Sequence, residues 1–92
     1  MTGVMIKVPY KRGDWTRNAF IGHAGTQTLI SELEIYVSVT KETFYIQPYN
    51  SAGSATSAKL RLPCDPEMLT KLIDALDEIR ATSVANAGDK NG

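Results

Sequence analysis

Cys64-Asp65-Pro66-Glu67-Met68-Leu69-Thr70-Lys71-Leu72-Ile73-Asp74-Ala75-Leu76-Asp77-Glu78-Ile79-Arg80 is the stretch with unbroken helical periodicity, and its reading decides the fold. At about 100° per residue, Met68, Leu69, Leu72, Ile73, Ala75, Leu76 and Ile79 share one sector of roughly 160°, which reads as a buried face. Glu67, Asp74, Asp77 and Glu78 lie opposite, with Lys71 four residues after Glu67. The start is doubly marked. Asp65 can accept hydrogen bonds from the free N–H groups of the first turn, and Pro66 lacks an N–H where none would be bonded. Glu67 complements the positive end of the helix dipole.

Working outward, the preceding residues read as strands. Ala58, Leu60 and Leu62 alternate with Lys59 and Arg61 up to Pro63. Before them, Asn50 to Ser57 is small and polar and reads as a mobile hairpin loop. Phe44 and Ile46 alternate with Tyr45, Gln47 and Tyr49, and the short polar segment 40–43 joins them as a hairpin to a long strand over 29–39. In that strand Leu29, Leu33, Ile35, Val37 and Val39 share one parity, and Glu32, Glu34, Tyr36 and Ser38 the other. Val4, Ile6 and Val8 mark a first strand ending at Pro9, and 15–21 reads as a second after the turn Lys11-Arg12-Gly13-Asp14. Gly22-His23-Ala24-Gly25 breaks regular structure. The order predicts an α+β domain over 1–82: an antiparallel meander of four to five strands, with the C-terminal α-helix packed on one face. Residues 83–92 lack periodicity and read as a disordered tail.

Composition fits that picture. Ninety-two residues suffice for one core, and 42% hydrophobic against 22% charged residues is a globular balance. No apolar run is long enough to span a membrane, and the N-terminus lacks the marks of a secretory signal, so the expected location is the cytoplasm. Cys64 is the single cysteine and has no disulfide partner within the chain. Formal net charge is zero, yet residues 1–25 carry Lys7, Lys11, Arg12 and Arg17 against Asp14, leaving the remainder acidic.

Little in the sequence speaks of catalysis. One His and one Cys cannot assemble a structural zinc site. A Cys64–His23 nucleophile pair would set the thiol beside the Asp65 carboxylate, which opposes thiolate formation. Gly22-His23-Ala24-Gly25 precedes a strand rather than a helix and fails the phosphate-loop pattern. Glu32 and Glu34 share a strand face but lack the concave setting that acid–base work requires. The expectation is a non-enzymatic protein with no metal, cofactor or small-molecule substrate. Lys7, Tyr10, Lys11, Arg12, Trp15 and Arg17 mix cations with aromatic rings, as phosphate-contacting surfaces and protein interfaces both do. Lys59 and Arg61 join them as candidate contact residues on the open sheet face.

Two resemblances bear on partners. Strands ending in Lys59-Leu60-Arg61-Leu62-Pro63 before a Pro66-Glu67-Met68-Leu69 helix resemble the single-stranded-DNA-binding domain of the transcriptional coactivator PC4 family, which implies single-stranded DNA or RNA gripped by the sheet. In having one small α+β domain with a charged surface, a polar loop and no catalytic set, the chain also resembles phage-encoded anti-CRISPR inhibitors of type I surveillance complexes. That resemblance implies occlusion of a crRNA–protein complex in a bacterial host's cytoplasm, with possible guide-RNA contact. The inhibitor is the leading expectation and the single-strand binder the alternative.

Overall fold

A computed structural model describes residues 3–13, 15–23 and 26–89, with backbone alone at 15, 23, 26 and 84–89. Asp14, Ala24-Gly25 and the last three residues of the expected tail lie outside the described residues. Strands β1 (Gly3–Lys7), β2 (Ala19–His23), β3 (Thr26–Val37), β4 (Thr43–Asn50) and β5 (Leu60–Pro63) precede helix α1 (Pro66–Asp89). All pairings are antiparallel, so the α+β class with an antiparallel sheet and a C-terminal helix is the observed architecture. No helix among the described residues is long and apolar enough to cross a membrane.

The strand order corrects the simple meander. β3 is central: β4 pairs along one edge and β5 follows β4, while β1 and β2 both pair with β3. Ile30 stands opposite both Ala19 and Asn50, and Tyr36 opposite both Gly3 and Tyr45, so β1 and β2 share the edge of β3 away from β4. They form one interrupted edge strand. Val8 N still donates to Ser31 O at 2.9 Å before the chain leaves the edge. The Asn18 side chain then pinches the excursion shut, accepting from Lys11 N at 2.7 Å and donating to Lys11 O at 2.9 Å. Within it, Trp15–Arg17 forms a 3-10 helix where a strand was expected to begin.

Register assigns the faces. Val4, Ile6, Leu33, Ile35, Val37, Phe44, Ile46, Pro48, Leu60 and Leu62 oppose one another across the ladders and make one apolar face. Lys7, Glu32, Glu34, Tyr36, Tyr45, Gln47, Tyr49 and Arg61 make the other. A bulge between Ile30 and Glu32 breaks the expected parity, and Ser31 Oγ donates to Asn50 O there at 2.8 Å. Ile30 rather than Leu29 therefore continues the apolar face, and it is the most buried hydrophobic side chain described, 5% exposed.

Pro48 sits inside β4 without breaking its ladder to β3. Its carbonyl accepts from Thr56 N at 3.1 Å, so the position of its missing N–H also points away from β3. The loop after β4 is pinned rather than free. Asn50 Oδ1 accepts from Ala52 N and Ser54 N, both at 3.0 Å, and Tyr49 bridges to Ala55. Gly53 takes the positive φ of 86° that closes this turn.

The helix begins as its sequence dictates. Asp65 Oδ2 accepts from Met68 N at 2.8 Å and Asp65 O from Leu69 N at 2.9 Å. It runs on through residues read as tail, to Asp89. The hydroxyls of Thr82 and Ser83 bond back to Glu78 O and Ile79 O, and the alanines beyond favour helix without any apolar period. The apolar stripe is not the buried face it was read to be. Met68, Leu69 and Leu72 are half-buried, but Ile73, Leu76 and Ile79 are 63%, 56% and 61% exposed.

Candidate functional site

On the polar face, Tyr36 and Tyr45 oppose each other across β3 and β4, and their rings stack with centroids 5.1 Å apart and planes 21° from parallel. Lys59, two residues before the Arg61 that pairs with Tyr45, sends its ammonium over this platform. Nζ lies 4.6 Å from the Tyr45 centroid and donates to Tyr36 Oη at 3.2 Å. Glu34, Tyr36, Val37, Ser38, Val39, Tyr45 and Lys59 line a groove of about 540 Å³.

Glu34 forms the acidic wall of this groove. Tyr49 donates its hydroxyl to Glu34 Oε1 at 2.7 Å. That hydrogen bond, and then burial, push the Tyr49 hydroxyl above its ordinary pKa, since the neutral phenol is the form that donates. Glu34 Oε2 occupies space that a side chain at Gly3 would need: a Cβ there would lie 3.2 Å from it. Gln47 supports the far wall. Its amide, 8% exposed, donates to Pro48 O at 2.8 Å and Thr56 O at 3.2 Å, fixing the approach of the chain to Lys59.

Of the residues expected to make contacts, the structure brings Lys59 to the aromatic pair and places Arg61 beside it in register. Lys7 is on the same face but on β1, across β3 and β4 from them, directly opposite Glu32. Tyr10, Lys11, Arg12 and Arg17 lie exposed on the excursion at that far edge, and the Trp15 side chain is outside the described residues. The expected contact set is thus two separate surfaces. Glu34, Tyr36, Tyr45 and Tyr49 were legible only as members of an open face; their gathering depends on the β3–β4 register.

Neither a protein-family model nor a solved structure matches the chain. A curated protein of Bacillus pumilus (strain SAFR-032), described as "Putative metal-dependent hydrolase", is 32% identical over 63 residues. The match takes in 68% of this chain and 36% of that protein, so the chain spans about a third of the relative's length. This finding corrects the expectation of a non-enzymatic binding protein, both as inhibitor of a surveillance complex and as single-strand binder: the similarity points to hydrolytic enzymes. Among the described residues no three of His, Cys, Asp and Glu gather as a metal-binding group. Glu34, the carboxylate in the groove, is engaged by a tyrosine hydroxyl.

Proposed function

We propose that this chain is the substrate-binding part of a hydrolase, and that the Tyr36–Tyr45–Lys59 groove receives a substrate carrying a flat apolar group and an anionic group. The observation that carries the proposal is the Lys59 ammonium standing over the Tyr45 ring, 4.6 Å from its centroid, on a stacked aromatic pair. Cation and aromatic rings thereby line one groove. A planar group gains area against the tyrosine rings, while a carboxylate or phosphate meets the ammonium. Glu34 borders the same groove and is the group there that would take a proton from an attacking water. The hydrolase class comes from the relative's name, and the groove supplies the recognition surface.

p-Nitrophenyl phosphate combines the two features and reports both steps. Added to ¹⁵N-labelled protein, it should shift the amides of Tyr36, Tyr45 and Lys59 saturably, and release p-nitrophenolate faster than buffer does, with or without added Mn²⁺ or Zn²⁺. Absence of both binding and turnover would overturn the proposal.

A further inference from the structure

Helix α1 carries an apolar surface that its own sheet leaves uncovered, and we infer that a second copy of this chain covers it. This stands apart from the hydrolase reading. Leu69, Leu72, Leu76, Ile79 and Ser83 follow one another at alternating steps of three and four residues, the spacing of a two-helix seam, with Ile73 alongside. Ile73, Leu76 and Ile79 are 63%, 56% and 61% exposed. Two depressions flank this ridge. One is lined by Ile73, Leu76, Asp77 and Arg80, the other by Ala75, Glu78, Ile79, Thr82 and Ser83. In each, four residues stand at i, i+3, i+4 and i+7, the outline of a hole that accepts one side chain of a facing helix.

The surface is self-complementary. Ile73 and Ile79 lie three residues either side of Leu76 and, at 100° per residue, about 60° either side of it around the helix. A twofold axis at Leu76 in an antiparallel crossing therefore sets Ile73 against Ile79 of the second copy and Leu76 against its own counterpart. Asp74 and Glu78 lie on the opposite side of the helix, away from such a seam. Arg80 is the charge nearest it, and its guanidinium is turned aside to Asp77.

The chain as a whole exposes more surface than a compact monomer does. The chain exposes 7286 Å², against about 5,300 Å² for a compact monomer of 10.1 kDa. Its radius of gyration is 15.3 Å, against about 12 Å for a compact chain of 92 residues. Over the whole chain the excess is roughly 2,000 Å², above the roughly 1,000 Å² that each subunit buries at the lower end of the obligate-dimer range, and the exposed Ile73, Leu76 and Ile79 of α1 are part of it. A second copy supplies the same stripe, the same holes and the same excess.

Sedimentation equilibrium over a concentration series tests this. The whole chain should sediment at twice 10.1 kDa. Leu76→Glu with Ile79→Glu should raise the dimer dissociation constant at least about 100-fold, since two large apolar contacts per copy are lost. If circular dichroism shows that this variant loses its helix, Leu76→Ala, which favours helix, should still raise the constant at least about tenfold. A monomer at every concentration would overturn the inference and leave the stripe to a different chain. A dimer indifferent to a folded variant would overturn it too.

Discussion

Tyr49 on β4 gives its hydroxyl hydrogen bond to Glu34 on β3 at 2.7 Å, and this one bond fixes the acidic wall of the groove. Because the bond raises the Tyr49 pKa on folding, its stabilisation is fully present below the ordinary tyrosine range and is lost as pH rises through the folded value. In a residue-resolved nuclear magnetic resonance pH titration of the folded protein, Tyr49 should ionise above the ordinary tyrosine range, and Glu34→Gln should bring it down. Ionisation of Tyr49 within the ordinary tyrosine range in the unmodified protein would contradict the assignment.

Gln47 is buried, and its amide donates to Pro48 O of its own strand and to Thr56 O of the segment leading to Lys59. Gln47→Leu keeps the volume but leaves Pro48 O and Thr56 O without that donor, which should cost about 1–3 kcal/mol in urea denaturation. Hydrogen exchange should accelerate over residues 54–59 more than in β1. Uniform acceleration would mean that Gln47 serves the whole sheet instead.

Lys41 takes a φ of 64° in the β3–β4 turn, where its N–H donates to Ser38 O at 3.0 Å. A non-glycine residue in this region carries a cost that glycine does not. Lys41→Gly should therefore stabilise the protein by about 1 kcal/mol in thermal or urea unfolding. A lower midpoint would show that the lysine side chain contributes more than its backbone geometry costs.

Asp65 caps α1 at its first turn. Asp65→Ala should cost about 0.5–2 kcal/mol, with the loss concentrated in helical circular dichroism.

The cap and the strands were legible because each rests on local chemistry: Asp65-Pro66 marks a helix start, and alternation in 33–37 and 44–49 marks two half-buried strands. Lys59 and Arg61 were legible as contact candidates by the same parity. What was hidden depends on pairing between distant residues. Nothing about Ser31 as a residue type announces a bulge, so parity carried Leu29 onto the apolar face in place of Ile30. The 8–18 excursion looks like a hairpin turn until β1 and β2 are seen to share one edge of β3. A stripe such as Ile73, Leu76 and Ile79 states that something covers it, not whether the cover is the chain's own sheet. Glu34 and Tyr49 sit fifteen residues apart and meet only because of how the β3–β4 hairpin is registered.

The most direct measurement is the nuclear magnetic resonance titration of the protein and of Lys59→Met with p-nitrophenyl phosphate, followed by turnover of the same compound. The account predicts saturable shifts centred on Tyr36, Tyr45 and residue 59, p-nitrophenolate release above the buffer rate, and at least tenfold weaker binding by Lys59→Met with the sheet resonances otherwise unchanged. Equal binding by the two proteins, or shifts confined to the Lys11–Arg17 excursion, would contradict the placement of the substrate in this groove.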